Sequence, residues 1–128
     1  MALIDIPTDK IADALREGEQ ASAAEFLNLA TSRDVKIRES VAARTDAPMS
    51  VLIHLALDAK TSVRVALASN PVIATMVSVI DLLAADKDID VLVALVSNDA
   101  ISASRLAHLG EHAKKRVREA FEMRLTAA

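Results

Sequence analysis

The fold is decided by two stretches of sequence that nearly repeat each other, VALASN at residues 65–70 and VALVSN at residues 93–98. They lie 28 residues apart, and the same register continues towards both ends of the chain. A fixed period of about 20–50 residues is typical of stacked structural repeats, each too small to bury its apolar face alone. The sequence therefore predicts a single repeat domain that spans residues 1–128.

Two sets of apolar positions mark two elements in each repeat. The first set is a pair four residues apart, found as Ile11/Leu15, Ile37/Val41, Val63/Leu67, Val91/Leu95 and Val117/Phe121. The second set is a triplet, found as Phe26/Leu29/Ala30, Leu52/Leu55/Ala56, Ile80/Leu83/Ala84 and Leu106/Leu109/Gly110. Spacings of three and four residues indicate amphipathic helices. The distance from pair to triplet is two residues longer in one repeat only, which places an insertion near Pro71.

Polar residues recur at equivalent positions just before and just after the first helix of several repeats. Thr8, Asp34 and Asp88 precede the first helix of their repeats and are predicted N-caps. The position after that helix holds Gly18, Arg44, Asn70 and Asn98, of which the glycine and the asparagines suit a left-handed helix end. The sequence predicts an all-α, right-handed α-solenoid of about four HEAT-like helix pairs with periods of 26–28 residues. A last helix from about Glu111 to Ala127 completes it.

The repeat resembles the leucine-rich repeat variant and the short HEAT-like helical repeats of bacteria. The resemblance rests on DVKIRESVAA at residues 34–43, Pro48 and LIHLALD at residues 52–58, and the Val-Arg step recurs at residues 63–64 and 117–118. It implies a repeat scaffold and says almost nothing about chemistry. Leucine-rich repeat variant proteins can carry a cysteine-ligated iron–sulfur module, which does not transfer because this chain has no cysteine. Their second element can be a 3₁₀ helix, but the period here favours a full α-helix.

Composition excludes several function classes. The chain is 52% apolar and has no cysteine, which removes disulfides and thiol catalysis. Two phenylalanines are its only aromatic residues, and two glycines are too few for a glycine-rich phosphate loop. No catalytic constellation is evident, and we expect neither enzymatic activity nor a cofactor. The start of the chain lacks a signal-peptide pattern, and the longest uncharged run, residues 65–80, contains Asn70 and Pro71. These features predict a cytoplasmic protein without membrane contact.

A recurring arginine marks the first helix of the repeats. It appears as Arg38, Arg64 and Arg118, with Leu92 in the equivalent position of the remaining repeat. An acid precedes this position by six residues at Asp58 and Asp86, while Ser32 and His112 occupy the other two repeats. The pattern predicts a partial Asp/Arg ladder, with Asp58 facing Arg64. The alternative is a row of guanidinium groups for a carboxylate or phosphate partner.

A surface column on the second helices predicts where a partner binds. Its members are Asn28, His54, Leu82 and His108. The second helices usually line the concave face of a solenoid, so we predict a non-enzymatic scaffold that binds a protein or peptide there, with Arg38 and Arg64 also in contact. The alternative is ordinary solvated helix surface. The oligomeric state is left open.

Two further hypotheses come from the C-terminal part of the chain. Residues 105–128 carry an excess of basic residues, among which Lys114, Lys115 and Arg118 are candidates for binding the phosphates of a nucleic acid. His108, Glu111 and His112 match H-x-x-E-H, a zinc hydrolase signature that needs both histidines on one helix face. Gly110 weakens a helix there, and His54 is two repeats away and too distant to be the third ligand.

Overall fold

The structure, a computed structural model, describes residues 22–127, and this part of the chain is all-helical. Its α-helices are α1 (Ala23–Ala30), α2 (Val35–Ala42), α3 (Met49–Ala56), α4 (Thr61–Ala68), α5 (Val77–Ala84), α6 (Ile89–Val96) and α7 (Lys115–Thr126). Two 3₁₀ helices span Pro71–Thr75 and Ala103–Glu111. The predicted all-α class is confirmed. The predictions for Thr8, Gly18 and the pair Ile11/Leu15 lie outside the described residues.

Side chains define where several of the helices begin. Ser22 and Glu25 form a capping box at α1, in which each side chain bonds to the other residue's backbone amide. Asp34 and Asp88 cap α2 and α6, and each carboxylate accepts from the amide two residues later at 2.9 Å. The predicted N-caps at Asp34 and Asp88 are confirmed.

Helices of equivalent position pack on each other along the chain. Helix α2 contacts α4, α4 contacts α6, and α6 contacts α7, while α1 contacts α3 and α3 contacts α5. Each helix marked by an apolar pair, together with the helical segment that follows it, is called a unit below. Helices α1 to α6 have only eight residues each. Helices this short are not stable alone in water, so contacts between units must hold them.

The predicted core is confirmed. The pairs and triplets are buried from Phe26 to Phe121, except for Ile37, Ala84 and Gly110, which are partly buried. The predicted insertion is also present, because residues 69–76 between α4 and α5 are two more than residues 43–48 between α2 and α3. The 3₁₀ helix Pro71–Thr75 lies in that longer connection and buries Ile73.

The fourth unit departs from the predicted pair of α-helices. Its second element is the 3₁₀ helix Ala103–Glu111, and the last helix begins at Lys115 instead of near Glu111. A 3₁₀ helix has three residues per turn, so it puts Leu106 and Leu109 on one face, and both are buried. The predicted α-helix is therefore wrong for this element.

Gly110 allows this 3₁₀ helix to approach α7 closely. A Cβ atom at Gly110 would lie 2.8 Å from Cδ2 and 3.0 Å from Cε2 of Phe121. We expect Gly110→Ala to lower the free energy of unfolding by about 1–3 kcal/mol, the usual range for overpacking a core. Urea unfolding measures this change. Adding Phe121→Leu to the alanine variant should recover part of the loss, and a variant as stable as the wild type would contradict the close contact.

Buried asparagines tie successive units together. Asn70 is 2% exposed and adopts φ −78° and ψ 120°, so the predicted left-handed helix end is wrong there. Its Nδ2 donates to the carbonyls of Ala42 and Arg44 at 2.9 and 2.8 Å, and its Oδ1 accepts from the amide of Val72. The asparagine serves the preceding unit, since Ala42 is the last residue of α2 and its carbonyl has no partner within that helix.

The same arrangement recurs with an asparagine in the next unit, whereas in α7 an arginine takes its place. Asn98 donates to the carbonyls of Ala68 and Asn70 at 2.9 and 3.0 Å. Arg124 holds the equivalent position in α7 and donates to the carbonyls of Val96 and Ile101. We call Asn70, Asn98 and Arg124 the capping row. Each member satisfies the last carbonyl of the first helix in the unit before it.

Candidate functional site

The first helices are also joined by arginines near their other end. Arg38 on α2 bonds through Nε to Oδ2 of Asp58 at 2.8 Å and through Nη2 to Oδ1 at 3.3 Å. Its Nη1 donates to the carbonyl of Ser32 at 2.7 Å. Both ionic side chains are largely buried, with 14% and 8% of their surface exposed. The guanidinium thus joins its own unit to the loop that begins the next one.

One unit later the geometry repeats. Arg64 on α4 bonds through Nε to Oδ2 of Asp86 at 2.7 Å and through Nη2 to Oδ1 at 3.4 Å. Its Nη1 donates to the carbonyl of Asp58 at 2.6 Å. The acids are held in place by the chain itself, because Oδ1 of each accepts from the amide two residues later, that of Lys60 or Asp88. We call the pairs Arg38–Asp58 and Arg64–Asp86 the ladder.

The ladder is present, but its predicted partners are wrong. The carboxylate of Asp58 pairs with Arg38 of the preceding unit, and Arg64 reaches only the backbone carbonyl of Asp58. The cause is the bond between Oδ1 of Asp58 and the amide of Lys60, which anchors the carboxylate beside the preceding unit. The predicted partner contacts of Arg38 and Arg64 would therefore involve guanidinium groups already bonded within the chain.

The next position of the ladder lacks both members. Leu92 stands in the arginine position and is 1% exposed. His112 stands where the facing acid would be, and its Nδ1 accepts from the amide of Lys114 at 3.0 Å. This unit therefore has neither the arginine of the ladder nor the acid that would face it. Arg118 follows on α7 and donates through Nη1 to the carbonyls of His112 and Ala113 at 2.7 and 3.0 Å.

The ladder forms the floor of two adjoining depressions on the surface. One has a volume of about 580 Å³ and is lined by Ala30, Thr31, Ser32, Arg38, His54, Leu57, Asp58 and Ala59. The other has a volume of about 340 Å³ and is lined by Ala56, Leu57, Asp58, Arg64, Leu82, Ala85, Asp86 and Lys87. Because they share Leu57 and Asp58, we call them together the ladder groove.

The structure places the predicted surface column only partly in this groove. His54 and Leu82 line it, whereas Asn28 and His108 are not among its lining residues. Sequence reasoning missed Leu57, which is 69% exposed and belongs to both depressions. The available signal was an apolar residue directly after α3 with no place in the triplet Leu52/Leu55/Ala56.

Two basic residues of the C-terminal helix form ion pairs on its surface. Lys115 pairs with Glu119 at 3.5 Å, and Arg116 pairs with Asp90 at 3.1 Å, all four side chains being more than half exposed. Arg118 is held by backbone carbonyls through Nη1, and Lys114 is the N-cap residue of α7 without a side-chain cap bond. Of the candidate anion site at Lys114, Lys115 and Arg118, only Lys115 is thus paired with an acid in the described part of the chain, and the nucleic-acid hypothesis stays a prediction.

The histidines of the H-x-x-E-H motif do not share a helix face. His108 lies within the 3₁₀ helix, while His112 follows its end with extended backbone, φ −60° and ψ 147°. The motif needs the 3.6-residue turn of an α-helix to bring residues four apart onto one face. Within residues 22–127, no group of three or more His, Cys, Asp or Glu side chains is arranged to hold a metal ion.

Among residues 22–127, the one pair of groups with clearly shifted pKa values, Arg44 and Asp46, lies outside the groove. Arg44 donates from Nε and Nη2 to the two carboxylate oxygens of Asp46, both at 2.8 Å. These hydrogen bonds lower the pKa of Asp46 and raise the pKa of Arg44. Both residues belong to the connection between α2 and α3 and line neither depression.

Comparisons with known proteins were made against family models, curated proteins and solved structures, and no match was found in any of the three. The resemblance to leucine-rich repeat variant and HEAT-like repeats therefore stays a prediction from the sequence. Among residues 22–127, no helix has the length and apolar character needed to cross a membrane.

Proposed function

We propose that this chain is a non-enzymatic interaction scaffold, a right-handed α-solenoid of HEAT-like units that binds a protein or peptide in the ladder groove. The contacts of α2 with α4 and of α4 with α6 support the stacking, as do those of α1 with α3 and of α3 with α5. Stacked helix pairs of this kind offer extended concave surfaces to partners.

The exposure of Leu57 at the centre of the groove carries this proposal. Leu57 is 69% exposed and Leu82 is 36% exposed, and both stand beside the ladder. Apolar side chains that stay exposed in a concave surface mark interaction sites more often than isolated surface residues do. Partner side chains can cover these leucines and release water from about 600–1,000 Å² per protein in an interface of standard size.

The ladder makes the floor of the groove suitable for this role. Its charges are paired with each other, and within residues 22–127 no buried side-chain nitrogen or oxygen lacks a hydrogen-bond partner. A partner that covers the floor therefore leaves no unpaired charge buried, which would be costly. The arrangement favours an apolar or neutral segment over a polyanion, in keeping with the net charge of −3.

Capture from a lysate of the source organism tests the proposal. The baits are the wild type, Leu57→Lys, and Leu125→Lys as a matched control, because Leu125 is 54% exposed on α7 and lies outside the groove. A lysine is tolerated near a helix C-terminus in both places. Circular dichroism first verifies that all three are folded.

We expect a protein that the wild type and Leu125→Lys retain after nuclease treatment and that Leu57→Lys loses, as identified by mass spectrometry. Retention of the same proteins by Leu57→Lys would contradict the groove as the binding surface. Retention that disappears with nuclease would assign binding to nucleic acid instead.

A further inference from the structure

Arg118 is held in the same way as the two ladder arginines. Its Nη1 donates to the carbonyl six residues earlier, that of His112, at 2.7 Å. Arg38 and Arg64 make the equivalent bonds to carbonyls six residues earlier at 2.7 and 2.6 Å. This shared contact fixes one side of each guanidinium and leaves Nε and Nη2 to bind something else.

In the ladder, that remaining side binds a carboxylate. Arg38 and Arg64 each present Nε and Nη2 to the two oxygens of an aspartate in the next unit. Where the arginine is replaced by Leu92, the facing acid is replaced as well, by His112. In both ladder pairs, the arginine in this position is thus bonded to a carboxylate. Arg118 is the exception, because its Nε and Nη2 have no partner among residues 22–127.

We propose that Arg118 is a preorganised binding site for a carboxylate that a partner protein supplies from an Asp or Glu side chain. The inference deepens the proposed function and rests on it for the carrier of the carboxylate. Planar guanidinium groups bind carboxylates through two parallel N–H bonds. The same Nε and Nη2 edge already binds a carboxylate twice in this molecule, which favours that ligand over a phosphate.

The charges around Arg118 are mixed. Lys115, one turn earlier on α7, pairs with Glu119, and Lys114 lies just before the helix. Glu122, one turn later, is exposed and forms no bond to Arg118. The site therefore recognises a carboxylate through the fixed orientation of one guanidinium group. A cluster of positive charges does not contribute to this recognition. We expect weak intrinsic affinity for a single carboxylate and strong dependence on its geometry.

Nuclear magnetic resonance of the arginine Nε–H groups tests the site without a partner protein. The probe is a capped synthetic peptide with the sequence LDAKTS, copied from residues 57–62, whose aspartate supplies the carboxylate of a ladder pair. The matched control is the same peptide with asparagine in place of that aspartate. The Arg118 resonance is assigned by its disappearance in Arg118→Lys, a variant that keeps the positive charge.

We expect the aspartate peptide to shift the Nε–H resonance of Arg118 with a dissociation constant on the order of 10 mM, the range for one charge-assisted contact. The resonances of Arg38 and Arg64 should not move, because their Nε–H groups are already bound. No shift, an equal shift with the asparagine peptide, or a response to inorganic phosphate alone would overturn the proposal. Because the titration contains no partner and no groove variant, its failure leaves the ladder-groove proposal intact. Failure of the groove proposal appears separately, in the lysate capture, and would remove the partner protein but not the carboxylate binding of Arg118.

Discussion

Asn98→Ala is expected to lower the free energy of unfolding by about 3 kcal/mol. The substitution removes three hydrogen bonds, two donated to the carbonyls of Ala68 and Asn70 and one accepted from the amide of Ala100. Asn98 is 7% exposed, so water cannot readily replace them. Each buried polar group left without a partner costs about 1–3 kcal/mol, and partial relaxation reduces the sum.

Urea unfolding followed by circular dichroism measures this loss. Ser97→Ala is the matched control, because Ser97 is the adjacent residue, is exposed, and caps α6 through its backbone only. The control should differ from the wild type by less than about 0.5 kcal/mol. A loss below 1 kcal/mol for Asn98→Ala would show that the asparagine does not hold the two units together.

Asp86→Ala is expected to lower the free energy of unfolding by about 3 kcal/mol, and Arg64→Leu is expected to restore much of that loss. Removing the acid leaves Arg64 largely buried without its counter-charge, which costs about 3–5 kcal/mol in fully buried pairs. Replacing the arginine by leucine removes the unpaired charge. The chain itself shows that leucine fits this position, because Leu92 is buried there one unit later.

A double-mutant cycle of the wild type, Arg64→Leu, Asp86→Ala and the double variant measures the coupling. The cycle also cancels the loss of the bond between Asp86 and the amide of Asp88, which both variants with alanine share. We expect a coupling of about 2 kcal/mol, within the range for residues in direct contact. Strictly additive losses would contradict an energetic role for the ladder.

The ladder and the capping row together explain how two-turn helices form a stable domain. The ladder joins successive units near the start of α2 and α4, and the capping row satisfies the final carbonyls of α2, α4 and α6. The units that begin with α2 and α4 are therefore tied to the next unit at both ends of their first helix, whereas α6 is tied to α7 in this way only at its final carbonyl. This double attachment fixes the spacing of the units, and with it the floor of the ladder groove.

Local features of the fold were predictable from the sequence. The apolar pairs and triplets, the N-caps Asp34 and Asp88, and the two-residue insertion near Pro71 were all found in register. These features depend on a few neighbouring residues and on a period that the sequence displays directly.

Features that depend on which neighbouring unit a side chain faces were not predictable. Ser32, six residues before Arg38, and Asp58, twenty residues after it, hold the same position in successive units. The sequence therefore could not decide between the two, and the structure shows Arg38 bonded to the backbone of one and the carboxylate of the other. Asn70 was misassigned for the same reason, since its conformation serves carbonyls of the preceding unit.

The candidate site likewise contains some residues that could be predicted from the sequence and others that could not. His54 and Leu82 were identified because they flank the helical apolar pattern, and both line the groove. Leu57 follows the end of α3 and lies outside that pattern. Its importance depends on the two depressions that meet beside it, which only the packing of α3 and α5 creates.

The side-chain amide protons of the buried asparagines report directly on the register between successive units. In nuclear Overhauser spectra of the labelled protein, we expect the Nδ2 protons of Asn98 to lie close to Ala68 and Asn70, and those of Asn70 to lie close to Ala42 and Arg44. Both amides should also exchange slowly with water. Fast exchange, or the absence of these contacts to the preceding unit, would contradict the stacked arrangement from which the ladder, the capping row and the groove all follow.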